Sequence, residues 1–273
     1  PTVLAIWETQ VMPEEEDSLV IEAVGHQWWF EFKYPTEEVV TANELHLPED
    51  KDVIVNLRSQ DVLHSFWIPK IAGKVDMVPN HENQLYIKAD EPGLYYGQCA
   101  EFCGIAHAMM RFRVIVHTPE NYQNWLDEMR TPPAKLASGS DEDEGRKLFV
   151  GNCSMCHTYD SYKKGAYTKE ITSQYNRWEE WKNDKENSAI VSAPNLTHYG
   201  NRITLAAGIK ENNLENLIKW IENPDEIKIG TRMKNHASIY RDENELSNEQ
   251  INQIAKYLLS LKPSQESSAT YNK

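Results

Sequence analysis

The sequence predicts a multidomain chain in which an all-β sandwich is followed by an all-α domain. The first observation is an alternation of apolar and polar side chains in residues 52–58, 84–90 and 111–117. A period of two indicates strands with one buried face, and turn residues such as 91–93 separate them, so we expect an antiparallel sandwich. The second observation is that the apolar period becomes helical after residue 140.

The boundary between the predicted domains lies in residues 131–140, where two prolines are followed by small and polar residues. A stretch of this composition without periodicity is typical of a linker. The chain has 273 residues, which is enough for two domains of ordinary size. We therefore predict a first domain at residues 1–130, a second at residues 141–264 and a disordered tail at residues 265–273.

The helices expected in the second domain have recognisable ends. Ser140 can cap a helix whose first turn is acidic, which is favourable at the positive end of the helix dipole. A second helix presents one apolar face and ends at Pro224. Ser247 begins a capping-box pattern for a third helix, which stops before Pro263. An additional amphipathic helix is expected at residues 171–182.

The chain carries a net charge of −14, and this charge is unevenly distributed. Residues 1–137 hold 22 acidic and 10 basic side chains, whereas residues 138–273 hold 20 and 18. An acidic chain of this kind should attract basic partners and repel nucleic acid, so no nucleic-acid partner is expected. The sequence has no run of about 18 apolar residues, and we expect no membrane-spanning helix within it.

A loop between two predicted strands holds five potential metal ligands within twelve residues: Cys99, Glu101, Cys103, His107 and Met110. Thiolate, imidazole and thioether together form a soft ligand set that suits copper. One cysteine would make a mononuclear copper site, but two cysteines in one loop can bridge two copper ions. A loop held by two strands can also fix its ligands rigidly.

A dinuclear site needs one further histidine, and His64 is the candidate. A disulfide between Cys99 and Cys103, or a zinc site, are alternatives that the spacing leaves open. Met110 favours copper, because zinc is rarely bound by a thioether.

The segment Cys153-Ser-Met-Cys156-His157 has the pattern of covalent haem c attachment. The two thiols would bond to the haem, and His157 would be the first axial ligand of the iron. The second axial ligand follows by elimination, because Met155 is confined within the attachment loop and Met233 is the other methionine after the linker.

Histidine–methionine ligation through Met233 suits electron transfer, because it raises the haem potential. Bis-histidine ligation through His236 or His198 is the alternative.

Residues 18–130 resemble the extramembrane domain of cytochrome c oxidase subunit II. The resemblance is carried by the segments 25–32, 61–69, 92–99 and 99–110. It implies a cupredoxin-like Greek-key sandwich that holds a dinuclear copper centre, CuA. The implied copper ligands are the side chains of His64, Cys99, Cys103, His107 and Met110, with the backbone carbonyl of Glu101.

The same resemblance implies roles for residues beside the copper site. The Glu101 side chain would contact a magnesium ion shared with subunit I. Trp28 and Trp29 are the candidates for the place where electrons enter, although the family often has Trp-Tyr-Trp where this chain has Trp-Trp-Phe. A Pro-Gly-Arg turn common in the family is replaced here by residues 79–81, Pro-Asn-His.

Residues 193–200 resemble the Gly-Pro-Asn-Leu stretch of bacterial cytochromes c, with Ala193 in place of the glycine. The resemblance implies that the carbonyl of Pro194 accepts a hydrogen bond from His157 and orients it.

The two resemblances together imply subunit II of a bacterial caa-type, proton-translocating haem-copper oxidase. Such a chain is an electron carrier that passes electrons from haem c to CuA, while oxygen is reduced to water in subunit I. The implied partners are subunit I, the other oxidase subunits, and a donor that is either a cytochrome c or a quinol-oxidising complex.

The implied location is the outer, periplasmic or extracellular, side of the cytoplasmic membrane. The family is anchored there by two N-terminal helices, and we expect this chain to be the extramembrane part. The small subunit of a CuA-containing nitric oxide reductase and a free-standing haem–copper carrier are the alternative functions.

Overall fold

The computed structural model of the chain describes residues 1–4, 13–159, 193–241 and 243–263. These residues form two bodies, each with its own hydrophobic core. The helix expected at residues 171–182 and the tail expected at residues 265–273 lie outside the described residues. None of the helices in the described ranges combines the length and the apolar composition that a bilayer crossing requires.

Ten strands build the first body: β1 (Leu19–His26), β2 (Trp29–Tyr34), β3 (Val39–Ala42), β4 (Glu44–Pro48), β5 (Val53–Ser59), β6 (His64–Trp67), β7 (Lys74–Met77), β8 (Asn83–Ile87), β9 (Gly93–Cys99) and β10 (Arg111–His117). They form two five-stranded sheets with the strand orders β3-β2-β1-β5-β8 and β4-β10-β9-β6-β7. The three segments with alternating apolar residues are β5, β8 and β10, so the predicted sandwich is confirmed.

The expectation that the sandwich is purely antiparallel was wrong. β1 pairs with β5 in parallel, and β10 pairs with β4 in parallel, so both sheets are mixed. Alternating apolar residues report which face of a strand is buried, but they carry no information about the direction of its neighbour.

Phenylalanine rings fill the space between the two sheets next to the metal-binding loop. Phe112 of β10 lies 4.8 Å from Phe30 and 4.9 Å from Phe66, measured between ring centroids. All three rings are fully buried. The Phe112 ring lies directly over Gly97 of β9, where any side chain would overlap it. This packing fixes the ends of β9 and β10, which carry the loop between residues 99 and 111.

Helix α1 (Pro119–Arg130) follows β10 and packs on the sandwich. The Thr118 side chain caps it by accepting a hydrogen bond from the Asn121 N–H. Its buried face, which includes Trp125, completes the first core.

The second body is mainly helical, with α2 (Asp141–Asn152), α3 (Leu214–Glu222), α4 (Pro224–Ile227), α5 (Arg232–His236) and α6 (Asn248–Ser260). The predicted cap at Ser140 and the predicted capping box of Ser247 with Gln250 are both present. α2 packs closely on α6 at Gly145, where a side chain would overlap the carbonyl of Gln253. A short hairpin of β11 (Thr204–Leu205) and β12 (Lys210–Glu211), which the sequence did not predict, is added to these helices.

Candidate metal centres

The loop between β9 and β10 brings the two cysteines of the first body together in its core. The sulfur atoms of Cys99 and Cys103 are both buried and lie 3.7 Å apart. A disulfide bond would require about 2.05 Å, so both thiols are free. The Nδ1 atom of His64, at the start of β6, lies 3.9 Å from the Cys99 sulfur. His64, Cys99 and Cys103 therefore form a buried group whose ligand atoms all lie within 4.8 Å of one another.

The other predicted ligands surround the same pair of sulfurs. His107 Nδ1 lies 3.6 Å from the Cys103 sulfur, and Met110 Sδ lies 3.8 Å from it. The carbonyl oxygen of Glu101 lies 3.2 Å from the Cys99 sulfur. The structure thus brings together all six groups that the sequence suggested for copper.

This donor set fits copper better than the alternatives. Two imidazoles, two thiolates, a thioether and a carbonyl exceed the four donors of a structural zinc site, and the thioether is a soft ligand. The two thiols are coupled: the hydrogen bond between them lowers the pKa of Cys99 and raises that of Cys103. A bound cation would hold both sulfurs as thiolates, because metal coordination deprotonates a thiol.

Contacts around His64 fix the orientation of its ring. Its Nε2 atom lies 2.8 Å from Oδ1 of Asp61, which leaves Nδ1 directed at Cys99. Gly25 makes room for this ring, because a side chain there would lie 2.8 Å from His64 Cδ2. Burial raises the pKa of Asp61, but hydrogen bonds from His64 and from the Gln27 and Val62 N–H groups lower it overall. Asp61 therefore remains an anion that holds His64 in place.

Trp28 and Trp29 have different environments, although they are adjacent in sequence. The indole of Trp28 is half-buried, and its Nε1 donates to the carbonyl of Cys103 over 2.9 Å. The side chain of Gln27 donates to the same carbonyl over 2.8 Å. Trp29 is buried, with its ring stacked on His26 at 4.2 Å. Of the two candidates, Trp28 is the one in contact with the metal-binding loop.

The haem attachment segment follows directly after α2, with Cys153 as the C-cap of that helix. Cys156 is exposed, and Met155 has 91% of its side chain exposed. The ring of His157 is held by the carbonyl of Pro194, which lies 2.8 Å from Nδ1. Burial lowers the pKa of His157, and the hydrogen bond to Pro194 partly opposes this. A neutral imidazole with Nε2 available is the form that binds iron.

The candidates for the second axial position differ in their surroundings. Met233 lies in α5 and is half-buried. His236 is exposed at the end of the same helix. His198 is buried, and its Nε2 atom lies 2.6 Å from the carbonyl of Thr131 in the predicted linker. This nitrogen of His198 therefore contacts the segment that joins the two bodies.

Several residues at these sites were not assigned a role from the sequence. Asp61 could have been found, because it lies three residues before His64 within the segment 61–69. Gln27 lies in the segment 25–32, but its bond to the Cys103 carbonyl joins positions far apart in sequence. The contacts of Lys228 and Arg232 with the first body could not have been found, since they depend on how the two bodies pack.

Comparison with known proteins matches each of the two bodies to a family. Residues 38–117 match the family described as cytochrome c oxidase subunit II, periplasmic domain, and residues 142–262 match cytochrome c. These families imply copper in the first body and haem c in the second.

Curated relatives match across both bodies. The chain is 36% identical to cytochrome c oxidase subunit 2 of Bacillus subtilis over 255 residues, which is 90% of this chain and 63% of the relative. It is 33% identical to the subunit 2 proteins of Bacillus sp. (strain PS3) and Alkalihalophilus pseudofirmus, over 91% and 92% of this chain and 64% of each relative. The chain therefore spans less than two thirds of the length of these relatives. Residues 38–117 belong to the cytochrome c oxidase subunit II family, and they are joined in one chain to a cytochrome c domain at residues 142–262.

Proposed function

We propose that the chain is the electron-transfer subunit II of a respiratory cytochrome c oxidase. It would carry electrons from a covalently bound haem c to a dinuclear copper centre and on to subunit I, where oxygen is reduced to water. The observation that supports transfer between the two sites is a contact between the two bodies. Lys228 Nζ of the second body donates to the carbonyl of Trp28, whose indole donates to the carbonyl of Cys103.

The first body would hold copper with the six groups described above. Cys99 and Cys103 would bridge the two ions, His64 and His107 would each bind one of them, and the Met110 thioether and the Glu101 carbonyl would complete the set. Copper and haem iron supply reversible one-electron oxidation and reduction when they are bound. The protein contributes a buried, prearranged cage, which limits movement of the ligands during a redox change.

The second body would attach haem through Cys153 and Cys156. His157, oriented by the Pro194 carbonyl, would bind one face of the iron, and Met233 would bind the other. These assignments are consistent with domain boundaries at residues 130 and 141, because helix α2, which leads into the haem attachment segment, begins at Asp141.

The segment that carries Met233 also makes the contact with the copper-binding body. Arg232 Nη2 donates to Oε1 of Gln27 over 2.7 Å and lies 3.6 Å from Oδ2 of Asp61. Asp61 in turn holds His64. The proposed second axial ligand of the haem is therefore adjacent in sequence to a residue that contacts both Gln27 and Asp61.

The same proposal places the chain on the outer side of the cytoplasmic membrane, in contact with subunit I. Phe102 is 76% exposed beside Glu101, so this end of the loop offers an apolar side chain that subunit I could cover. Glu101 would contribute its carboxylate to a magnesium ion at that contact. A cytochrome c or a quinol-oxidising complex would supply electrons to the haem body.

The test uses the 273-residue chain loaded with haem and copper. Paramagnetic resonance should show a mixed-valence pair of copper ions, and Cys103→Ser should abolish that signal because it removes a bridging sulfur. After rapid photochemical reduction of the haem, the copper absorption should bleach as the haem reoxidises.

Trp28→Phe should slow this transfer without changing the copper spectrum, because it removes the indole N–H bond to Cys103. Trp125→Phe, a change in the same core but away from the metal-binding loop, is the matched control. A signal from two coupled copper ions that survives in Cys103→Ser would contradict the ligand assignment. Copper that stays oxidised while the haem is reduced would contradict the proposed path.

A further inference from the structure

The β11–β12 hairpin of the haem body, with the preceding Ile203, makes five hydrogen bonds with the copper-binding body. Its turn contains three consecutive residues with positive φ, namely Ala206 at 56°, Ala207 at 59° and Gly208 at 77°. Alanine rarely adopts this conformation, because its Cβ crowds the backbone. The turn is therefore maintained by contacts outside itself.

The base of the hairpin is bound by a single buried carboxylate, Glu44, which is 4% exposed at the start of the edge strand β4. Its Oε1 atom accepts the backbone N–H groups of Ile203 and Thr204, each over 2.9 Å. The same oxygen accepts the hydroxyl of Thr204 over 3.2 Å. A carboxyl group buried in this way without partners would be unfavourable in either charge state, so these three donors stabilise its position.

The tip of the hairpin is bound by the neighbouring strand β10. The side chain of Arg113 donates to the carbonyl of Gly208 over 2.8 Å, and the Arg111 N–H donates to the carbonyl of Ala207 over 3.2 Å. The methyl group of Ala207 belongs to a small apolar cluster with Trp29 and Ala42 of the copper-binding body. The positive φ angles of the turn point its carbonyls and this methyl group toward the other body.

Net charge does not explain why the two bodies pack together, since both halves of the chain are negative. The contacts are instead specific: three donors meet one carboxylate oxygen, and two donors meet two turn carbonyls. They lie apart from the contact of Lys228 and Arg232 with Trp28 and Gln27. The hairpin therefore supplies a second anchor for the haem body.

We propose that the hairpin of residues 203–211 and the Glu44 carboxyl form an internal docking lock that seats the haem body on the copper-binding body. The lock keeps Lys228 and Arg232 against Trp28 and Gln27. The partner that Glu44 binds is thus a segment of this same chain. None of the contacts of the lock involves a proposed metal ligand. Its effect on electron transfer rests on the proposed function.

The lock can be tested by hydrogen–deuterium exchange on the chain loaded with haem and copper. In Glu44→Ala the amides of Ile203 and Thr204 lose their acceptor, and their exchange should accelerate by at least roughly tenfold. Glu44→Gln should restore protection, because the amide oxygen can accept the same three bonds. Glu82→Ala, which removes the same charge from a half-exposed pair with Arg58, is the control and should leave these amides unchanged.

The copper spectrum of Glu44→Ala shows whether the first body remains folded, and intrachain transfer should slow by roughly tenfold as the bodies separate. Should the variant fail to fold, Thr204→Val removes one of the three donors from the other side and should also raise exchange at residue 203.

Unchanged exchange at residues 203 and 204 in Glu44→Ala would overturn the lock. Faster exchange with an unchanged transfer rate would overturn its role in seating the haem body. Absence of transfer in the unaltered chain would instead refute the proposed function, while the exchange data would still report on the lock.

Discussion

Raising the pH from 5 to 7 should weaken the attachment of the hairpin to Glu44. Burial raises the pKa of Glu44 from its usual 4.5 to about 7, although Arg202 and the donors of Thr204 and Ile203 oppose this. A carboxyl whose pKa is raised in the docked state stabilises docking when it is protonated. That stabilisation is complete below pH 4.5 and is lost as the pH rises through 7.

The size of the effect follows from the two pKa values. With 4.5 for the separated state and about 7 for the docked state, the free energy of docking falls by about 2 kcal/mol between pH 5 and pH 7. This corresponds to a loss of roughly thirtyfold to fortyfold in the docking equilibrium. The protonated carboxyl can keep its three bonds, because all of them go to Oε1.

Other groups near the interface titrate as well, so the measured quantity must be specific to Glu44. Arg113 of β10 and Arg202 and Tyr199 of the haem body interact electrostatically with the Glu44 carboxyl. These three keep one charge state between pH 5 and 7.

Burial lowers the pKa of His198, so its protonation opposes docking at low pH. Burial also lowers the pKa of Lys228 to about 7, which affects docking mainly above that pH.

The assay is the protection factor of the Ile203 and Thr204 amides, which corrects for the intrinsic pH dependence of exchange. It should be measured from pH 5 to 7 in the unaltered chain and in Glu44→Gln, whose side chain does not titrate. The unaltered chain should lose roughly thirtyfold more protection than the variant over this range. Identical pH profiles would refute the assignment of a raised pKa to Glu44, and a profile of opposite slope would show that its ionised form is the one that docks.

Two further changes test the haem site and the core beneath the copper loop. Met233→Leu should leave the haem covalently attached but remove the methionine–iron absorption band and lower the haem potential, as measured by redox titration; persistence of that band would mean that Met233 is not the axial ligand. Gly97→Ala should destabilise the first body by about 1–3 kcal/mol in urea unfolding, because the added methyl group overlaps the Phe112 ring. Gly73→Ala is the matched control, since nothing lies near that position, and equal stabilities of the two variants would show that β9 can move away from the ring.

The features that could be predicted from the sequence are those in which the necessary residues are close along the chain. Five of the six proposed copper-binding groups lie between residues 99 and 110, and the haem-binding cysteines and His157 lie within five residues. The caps at Ser140 and Ser247 are likewise local hydrogen-bonding patterns. In each case a few neighbouring residue types determine the chemistry, whatever the rest of the fold does.

Features that depend on distant contacts could not be predicted in this way. Glu44 is one of 42 acidic residues, and nothing near it in sequence indicates that it lies under Ile203 and Thr204. The parallel pairing of β4 with β10 joins segments more than sixty residues apart, and alternation of apolar residues is the same for either direction. The positive φ angles of Ala206 and Ala207 are imposed by packing, since the preference of alanine is against them.

The contact of Lys228 with the Trp28 carbonyl has a consequence for the kinetic order of copper reduction. A donor that must collide with the tryptophan would reduce copper at a rate proportional to its concentration. Under the proposed function, a segment of the chain itself is already held against Trp28, so the step that reduces copper would be unimolecular. Its rate constant would then be independent of dilution, and the concentration of an external donor to the haem body would set only how quickly that body is refilled with electrons.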